Sequence, residues 1–389
     1  MEIFPVVTKK DLKKFIELPY RIYRDDNNWV APLRSELVGQ FDPVRNPFLE
    51  HCRHQLFLLF DGDKLVGRIA AFIDHLAVDF WQEPIGLFGY FEAPSDQSAS
   101  QLLLKRAREW LILQGMKKMR GPWSFVSQEW GSVVEGYSPA PVVMSPYNPP
   151  FYNDQYEIFG LRKIKDLLVY QINASENYQI PDRILTLTDK IRTRYGIHTR
   201  NLNMKALDQD VKKIIALSNE SLIKNRGYSP VTDAEVRAMV HDLKQIIQAK
   251  GVIFAEDQYG NAVGFAIAIP DINVLLKGLN GRLLPFGWLK LLKGIPKLKQ
   301  YRMFALGVVP AYHGKGIDSL LYRALYESIY SPDMKMEINY VLEDNDPMNN
   351  AINKLGASLK RRYRVYEMDI EESGAEIDLI PSRHSEGSK

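Results

Sequence analysis

The feature that most constrains this 389-residue chain is that it states one pattern twice. "LFLLFDGDKLVGRIAAFID", beginning at Leu56, and "VIFAEDQYGNAVGFAIAIPD", beginning at Val252, each read as two apolar strands joined by a turn carrying Gly and Asp. That is the signature of a β-hairpin. Gly67 and Gly264 hold matching places in the second strand of each. Each hairpin is followed by an apolar strand, a polar loop, a run with helical spacing and a further strand. Each copy then closes alike, in "NPPFYNDQYEIFGLRKIKDLLVYQI" and "NDPMNNAINKLGASLKRRYRVYEMDI", with an Asn and Pro at a helix start, a glycine after an apolar residue and a final strand. The expectation is an α/β protein of two tandem copies, each a mixed sheet with flanking helices. The division expected is 1–175 and 195–372, with a polar junction between them and a flexible tail over 373–389.

The copies differ at two places. Gly67 to Gly89 in the first corresponds to Gly264 to Gly307 in the second, so the second carries an insert, most of "INVLLKGLNGRLLPFGWLKLLKGIPKLKQ". The loop before the long helix is "PSDQSAS" in the first copy and "PAYHGKGIDS" in the second. A helix start exposes unpaired amides and the positive end of its dipole, and glycine lets an anion approach the backbone. The amides of Gly314, Lys315, Gly316, Ile317 and Asp318 therefore form a candidate nest for a phosphate pair, with the Lys315 charge beside it. A Walker loop is excluded, because Val309 stands where its first glycine belongs and Gly316 follows the lysine in place of Ser or Thr. The dinucleotide fingerprint is excluded by the missing third glycine.

"VVPAYHGKGIDSLL", set between the hairpin and "VLEDNDPMNNAINKLGA", resembles the Gcn5-related N-acetyltransferase superfamily over about 120 residues, Val252 to Glu367; over the first half the likeness is one of topology. The resemblance implies tandem acyl-CoA N-acyltransferase folds, with a degenerate first copy that shapes the acceptor site or serves structure. It also implies an acyl-CoA substrate, acetyl-CoA or a longer one, gripped by its pyrophosphate. His313 stands where the family usually has Gln or Arg, Gly316 matches the central glycine, and Asp318 departs from Gly or Ala. With the fourth strand supplying amides that polarise the thioester, the resemblance assigns cofactor contacts to Leu306, Val308, Val309, His313, Gly314, Lys315, Gly316, Ile317 and Asp318. Asn345 matches the family asparagine that faces the pantetheine arm. The family's proton-donating tyrosine falls at Ile352, which has no proton to give. The remaining candidates for proton transfer are Tyr363, near Tyr340 and Tyr366, and the carboxylate Glu343, beside Asp344.

The expected function is transfer of an acyl group to the amine of a small molecule, amino acid or peptide. The alternatives are a non-catalytic acyl-CoA module and a transferase using aminoacyl-tRNA. A net charge of +3 gives no overall case for a nucleic-acid partner. Cys52 is the one cysteine, so no internal disulfide forms. The N-terminus mixes charge into its apolar residues, unlike a signal peptide, and a cytoplasmic location is expected. No histidine spacing suits a metal, and none is expected. The insert has no acidic residue from 272 to 317 but many Lys, Arg, Leu and aromatic residues. Three readings of it compete: a lid over the site, a peripheral membrane contact through 274–292, and a docking helix against the first copy.

Overall fold

The computed structural model describes residues 1–126, 129–222 and 231–370. The expected tail over 373–389 lies outside them. The first half runs β1 (Glu2–Pro5), α1 (Lys9–Ile22), α2 (Arg34–Gln40), β2 (Cys52–Asp61), β3 (Lys64–Asp74), α3 (His75–Trp81), β4 (Ile85–Glu92), α4 (Gln97–Leu113), β5 (Lys118–Gly121), β6 (Ser132–Glu135), α5 (Phe151–Phe159) and β7 (Arg162–Asn173). After helix α6 (Asp182–Tyr195), the second half repeats the order with one helix added, α10 (Gly287–Gly294), and no counterpart of β6. It runs β8 (His198–Asn201), α7 (Leu207–Leu222), α8 (Asp233–Leu243), β9 (Val252–Glu256), β10 (Ala262–Pro270), α9 (Asn273–Leu276), α10, β11 (Gln300–Val308), α11 (Ile317–Ile329), β12 (Lys335–Leu342), α12 (Asp346–Leu355) and β13 (Ser358–Asp369). Both hairpins form where the sequence puts them, antiparallel, with Gly62 and Gly260 at positive φ in their turns.

The matched glycines do the same work. A Cβ on Gly67 would lie 2.8 Å from the Glu92 carbonyl oxygen, and one on Gly264 would lie 3.0 Å from that of Gly307. In each half the glycine therefore lets the backbone of the next strand approach closely. The β3–β4 register slips between Arg68 and Ala70, and the β10–β11 register slips between Ile267 and Ala268, leaving Phe304 as the extra residue.

All strands share one sheet, in the order β1-β2-β3-β4-β5-β13-β7-β12-β11-β10-β9-β8, with β6 paired to β13. The end strands are exchanged: β13 of the second half lies against β5 of the first, and β7 of the first lies against β12 of the second. β7 and β13 pair antiparallel at the centre over the length of both strands. Each half therefore completes the other's sheet, and a continuous ladder joins the halves in addition to α6.

The two parallel pairings are short. β4 meets β5 only over Ile85–Leu87, and β11 meets β12 only over Gln300–Met303. Beyond these points the strands part, and what fills each gap separates the halves.

Candidate active site

The loop entering α11 rises from β11 through a single helical turn, Pro310–Tyr312, into Gly314 and Gly316, at φ +72° and +77°. Gly316 caps α11 with no side chain, so the first amides of the helix, those of Ile317, Asp318 and Ser319, have no intrahelical acceptor. Ile317 buries its side chain in the core, which leaves its backbone as the part facing the loop. Lys315 stands over the rings of Tyr312 (4.3 Å) and Tyr195 (5.5 Å), keeping a cation at the helix start. His313 turns back instead, its Nε2 2.8 Å from the Val308 carbonyl oxygen, and fastens the loop to β11. The Val309 amide donates to the Val263 carbonyl oxygen at 3.0 Å. Leu306 and Val308 pair with Ala266 and Gly264 on the hairpin side.

The matching start of α4 is closed. Asp96 accepts the Ser98 amide through Oδ1 at 3.0 Å and the Ser98 hydroxyl through Oδ2 at 2.6 Å. These bonds hold its carboxyl below the usual carboxylate range. A carboxylate already occupies the anion position of this helix.

Where β11 leaves β12, a cavity of about 460 Å³ opens. One wall is Phe304, Ala305 and Leu306 of β11, and the other is Asn339 to Leu342 of β12 with Asn345 and Met348 of the following turn. Its roof is the apolar side of α7 and α8, including Val211, Ile214, Met239 and Val240. Phe48, Trp81, Leu87, Trp123 and Trp130 of the first half close one end, with the two tryptophan rings 4.6 Å apart. Asp74 and Glu235 are the carboxylates in the lining. They are bridged by His51, with Nδ1 2.9 Å from Asp74 Oδ1 and Nε2 3.2 Å from Glu235 Oε2. A neutral imidazole carries one N–H, so both contacts are attractive only with an imidazolium or with one carboxyl protonated. The bridge also ties α8, which Glu235 caps together with Thr232, to the first half.

Of the three residues read from the sequence as catalytic candidates, Asn345, Tyr363 and Glu343, Asn345 borders this cavity. Its Oδ1 caps α12 by accepting the Met348 amide at 3.2 Å. Glu343 is turned away: Oε1 accepts the Asp166 amide at 2.9 Å, and Oε2 lies 2.6 Å from Lys163 Nζ. Tyr363 is fully buried and donates to the Pro146 carbonyl oxygen at 3.2 Å. Burial pushes its phenol well above the ordinary tyrosine range. The ring of Tyr340, which does line the cavity, stands between Tyr363 and Trp130. Tyr366 lies in the first half's core with its hydroxyl 3.1 Å from Asn153 Oδ1. Ile352 is core. Among the described residues no cluster of His, Cys, Asp and Glu suits a metal. The His51 bridge escaped the sequence reading because its three members are far apart in the chain, and only their pairing across the halves assembles them.

The insert does not border this cavity: none of residues 272–299 lines it. Leu276 is buried in the second half's core, and the turn at 280–281 docks on the first half, with the Arg34 amide donating to the Gly281 carbonyl oxygen at 3.1 Å. Docking against the first copy is thus part of what this segment does. Among the described residues no helix is long and apolar enough to cross a membrane.

No family model matches the chain. It is 33% identical over 381 residues to a protein named bacterial ceramide synthase from Caulobacter vibrioides (strain NA1000 / CB15N), covering 94% of this chain and 97% of that one. It is 31% identical over 372 residues to protein YghO from Escherichia coli (strain K12), covering 94% of each. Among solved structures it resembles a tandem GNAT protein from the clavulanic acid biosynthesis pathway, with TM-score 0.57 and 14% identity over 96% of this chain and 99% of that one. It also resembles the GCN5-related glucosamine N-acetyltransferase region of a fungal multi-domain GH3 β-N-acetylglucosaminidase, with TM-score 0.56 and 14% identity over 94% of this chain and 38% of that one. The fold is that of tandem GCN5-related N-acetyltransferase domains, and by sequence the chain belongs to the family of the Caulobacter bacterial ceramide synthase and E. coli YghO.

Proposed function

We propose that the chain is an acyl-CoA-dependent N-acyltransferase that moves a long acyl chain onto the amine of a long-chain lipid base. The observations that carry this reading are the uncapped, glycine-lined start of α11 and an apolar cavity, lined by Tyr322 of the same helix, at the place where β11 and β12 part. The N-terminus of α11, with Lys315, would hold the pyrophosphate of CoA. The pantetheine would then run between the parted strands, past Asn345, and bring the thioester to the bulged segment at 304–306. The cavity size falls within the range of small-molecule sites, roughly 300–1,000 Å³. Its apolar roof suits hydrocarbon better than an amino acid or a nucleotide, and the name of the Caulobacter relative points to a ceramide-type amide. The first copy, with its anion position filled by Asp96, binds no CoA and supplies the Trp123–Trp130 wall.

In the reaction the amine nitrogen attacks the thioester carbonyl carbon and forms the C–N bond. Amides of β11 would stabilise the developing oxyanion, and the C–S bond then breaks. The thiolate leaves and takes up a proton as free CoA, while the nitrogen loses one. Asp74 and Glu235, joined through His51, are the carboxylates in the cavity wall available to receive a proton from an incoming ammonium. Glu343 and Tyr363 have no part in this reading, since both are engaged away from the cavity.

The test is release of free thiol, with mass spectrometry of the product, from acyl-CoAs ranging from acetyl to stearoyl with sphinganine as acceptor. Turnover should favour long chains. Met239→Trp, which fills the roof, should shift the preference toward short ones. Absence of thiol release together with absence of CoA binding by calorimetry, or turnover confined to acetyl-CoA, would overturn the reading.

A further inference from the structure

The insert leaves five large apolar side chains in solvent: Leu284 is 80% exposed, Phe286 73%, Leu292 66%, Trp288 47% and Val274 44%. The first four are not scattered. Trp288 and Leu292 are one helical turn apart on α10, and Leu284 and Phe286 lie in the loop that leads into it. The inner side of the same segment is already used. Leu276 is buried, Leu275, Leu279, Leu283, Leu291 and Ile295 pack on the second half's core, and Gln248 Nε2 donates to the Ile295 carbonyl oxygen at 2.8 Å. The exposed set is therefore the outward remainder of a docked element and not a face waiting to fold back. It does not reach the cavity, so substrate does not cover it.

Charge decides what does. From 272 to 317 the chain has no acidic residue, and Lys277, Arg282, Lys290, Lys293 and Lys297 stand exposed around the apolar side chains. Aromatic and leucine side chains ringed by lysine and arginine match the boundary of an anionic bilayer, with apolar groups below the headgroups and cations at the phosphates. A protein partner covering this patch would have to be both apolar and strongly acidic, whereas an anionic bilayer supplies both properties in one layer. We propose that the segment from Val274 to Lys297 seats the protein on the surface of an anionic membrane, with Leu284, Phe286, Trp288 and Leu292 entering the headgroup layer. This stands independently of the reaction proposed above, because it rests on residues outside the cavity.

The experiment uses the full chain and co-sedimentation with vesicles of phosphatidylglycerol and phosphatidylethanolamine, against vesicles of phosphatidylcholine alone. The protein should pellet with the anionic vesicles only, and less as salt rises. Phe286→Ser with Leu292→Ser should lower the partition coefficient by about tenfold or more, and Lys293→Glu with Lys297→Glu should lower it comparably. All four positions are exposed, and unchanged circular dichroism and melting confirm that the variants fold. Failure to bind anionic vesicles overturns the proposal. So does binding unchanged by the apolar pair, which would leave only diffuse electrostatics. Sedimentation velocity supplies the remaining outcome: a concentration-dependent dimer abolished by the apolar pair, with no vesicle binding, would assign the face to a second copy of this chain and overturn the membrane assignment.

Discussion

Beneath α1 and α2, the space between helices and sheet is packed with Phe15, Phe41, Phe72 and Phe125, whereas beneath α7 and α8 the matching space is the cavity. The difference begins in the strands. Past β5, Trp123 keeps the first gap shut by donating its amide to the Phe88 carbonyl oxygen at 2.8 Å. A Cβ on Gly89 would lie 1.6 Å from the Trp123 carbonyl oxygen, so glycine alone allows that closure. Phe125 then enters the space and meets the rings of Phe41, Phe72 and Tyr90. In the second half β12 does not return to β11, and its one inward aromatic, Tyr340, borders the space without filling it. One fold thus holds a solid core and a hollow one, and the hollow one is where the helix start is left open. Packing in the first half supplies stability that the second half forgoes where the cavity opens.

The largest expected effect lies at the two helix starts. Gly316→Glu should abolish CoA binding, and Ser98→Glu at the start of α4 should leave it unchanged. Like charges about 4 Å apart in an effective dielectric of about 20 repel by about 4 kcal/mol, an upper limit near a thousandfold in affinity. Gly316 has positive φ, and a Cβ there would come within 2.6 Å of Ile191 Cδ1, so any side chain strains this site. Gly316→Ala is therefore the proper reference, and the charge effect is the difference between Glu and Ala in calorimetry. Equal affinities for the two would show that α11 holds no pyrophosphate.

The cores give the next contrast. Phe125→Ala, at a residue 2% exposed, should cost about 3–5 kcal/mol in urea unfolding. Met239→Ala, facing space that is already open, should cost about 1 kcal/mol or less by the same measurement. Similar losses at the two sites would mean that the cavity is packed in solution and that the contrast between the halves is false.

Much of this was legible in the sequence, and what was not has a common cause. The hairpins, the matched glycines and the contrast between "PSDQSAS" and "PAYHGKGIDS" are local signals, carried by turn residues and helix starts within a few positions. The exchange of β7 and β13 was not legible, because both strands have the same apolar alternation and either could pair with β5. Phe125 in the first half and the cavity in the second could not be separated either, since "GPWSF" shows an aromatic without showing which space it fills. Tyr363 and Glu343 are close in sequence to the matched motif, and that closeness does not carry into space. β13 carries the first into a sealed cluster, and Lys163 on the exchanged β7 takes the second. His51 takes its partners from both halves, Asp74 from the first and Glu235 from the second.

A smaller effect separates two aspartates that end equivalent strands, Asp74 after β3 and Asp271 after β10. Both cap the short helix that follows or its first turn, through the Ala77 and Asn273 amides. Asp74 also meets His51, while Asp271 accepts the Val143 amide of the first half at 2.8 Å. Burial raises the Asp271 carboxyl from 3.8 to about 6, against the lowering by those amides. Between pH 3.8 and about 6 the folded state holds more protons than the unfolded state, so this group's contribution falls as pH rises through that window. The loss is about 3 kcal/mol and is complete above the folded value. Asp271→Asn keeps an acceptor oxygen and removes the charge. It should therefore stabilise the protein by about 2 kcal/mol at pH 8 and by little near pH 4 in urea titrations. Destabilisation at pH 8 would show that the buried charge is compensated, with Arg302, whose charge lowers the carboxyl's value, as the compensating group.

The smallest expected effect returns to Asp96, and it asks what keeps CoA off the first copy. If the cap alone excludes the anion, removing it should create a second site. If the loop itself is unsuited, removal should create nothing. The geometry favours the second outcome. Asp96→Ala frees the Ser98 amide, but "PSDQSAS" has no glycine at positive φ to bring a phosphate against the backbone and no lysine like Lys315 to neutralise it. The closed gap beside Trp123 also leaves no channel for the pantetheine. Melting should fall by no more than a few degrees from the lost cap, and calorimetry should still count one CoA per chain. A second binding event in Asp96→Ala would mean that the two copies differ at one carboxylate and not in the shape of the cleft. The asymmetry would then be a matter of charge that one substitution reverses.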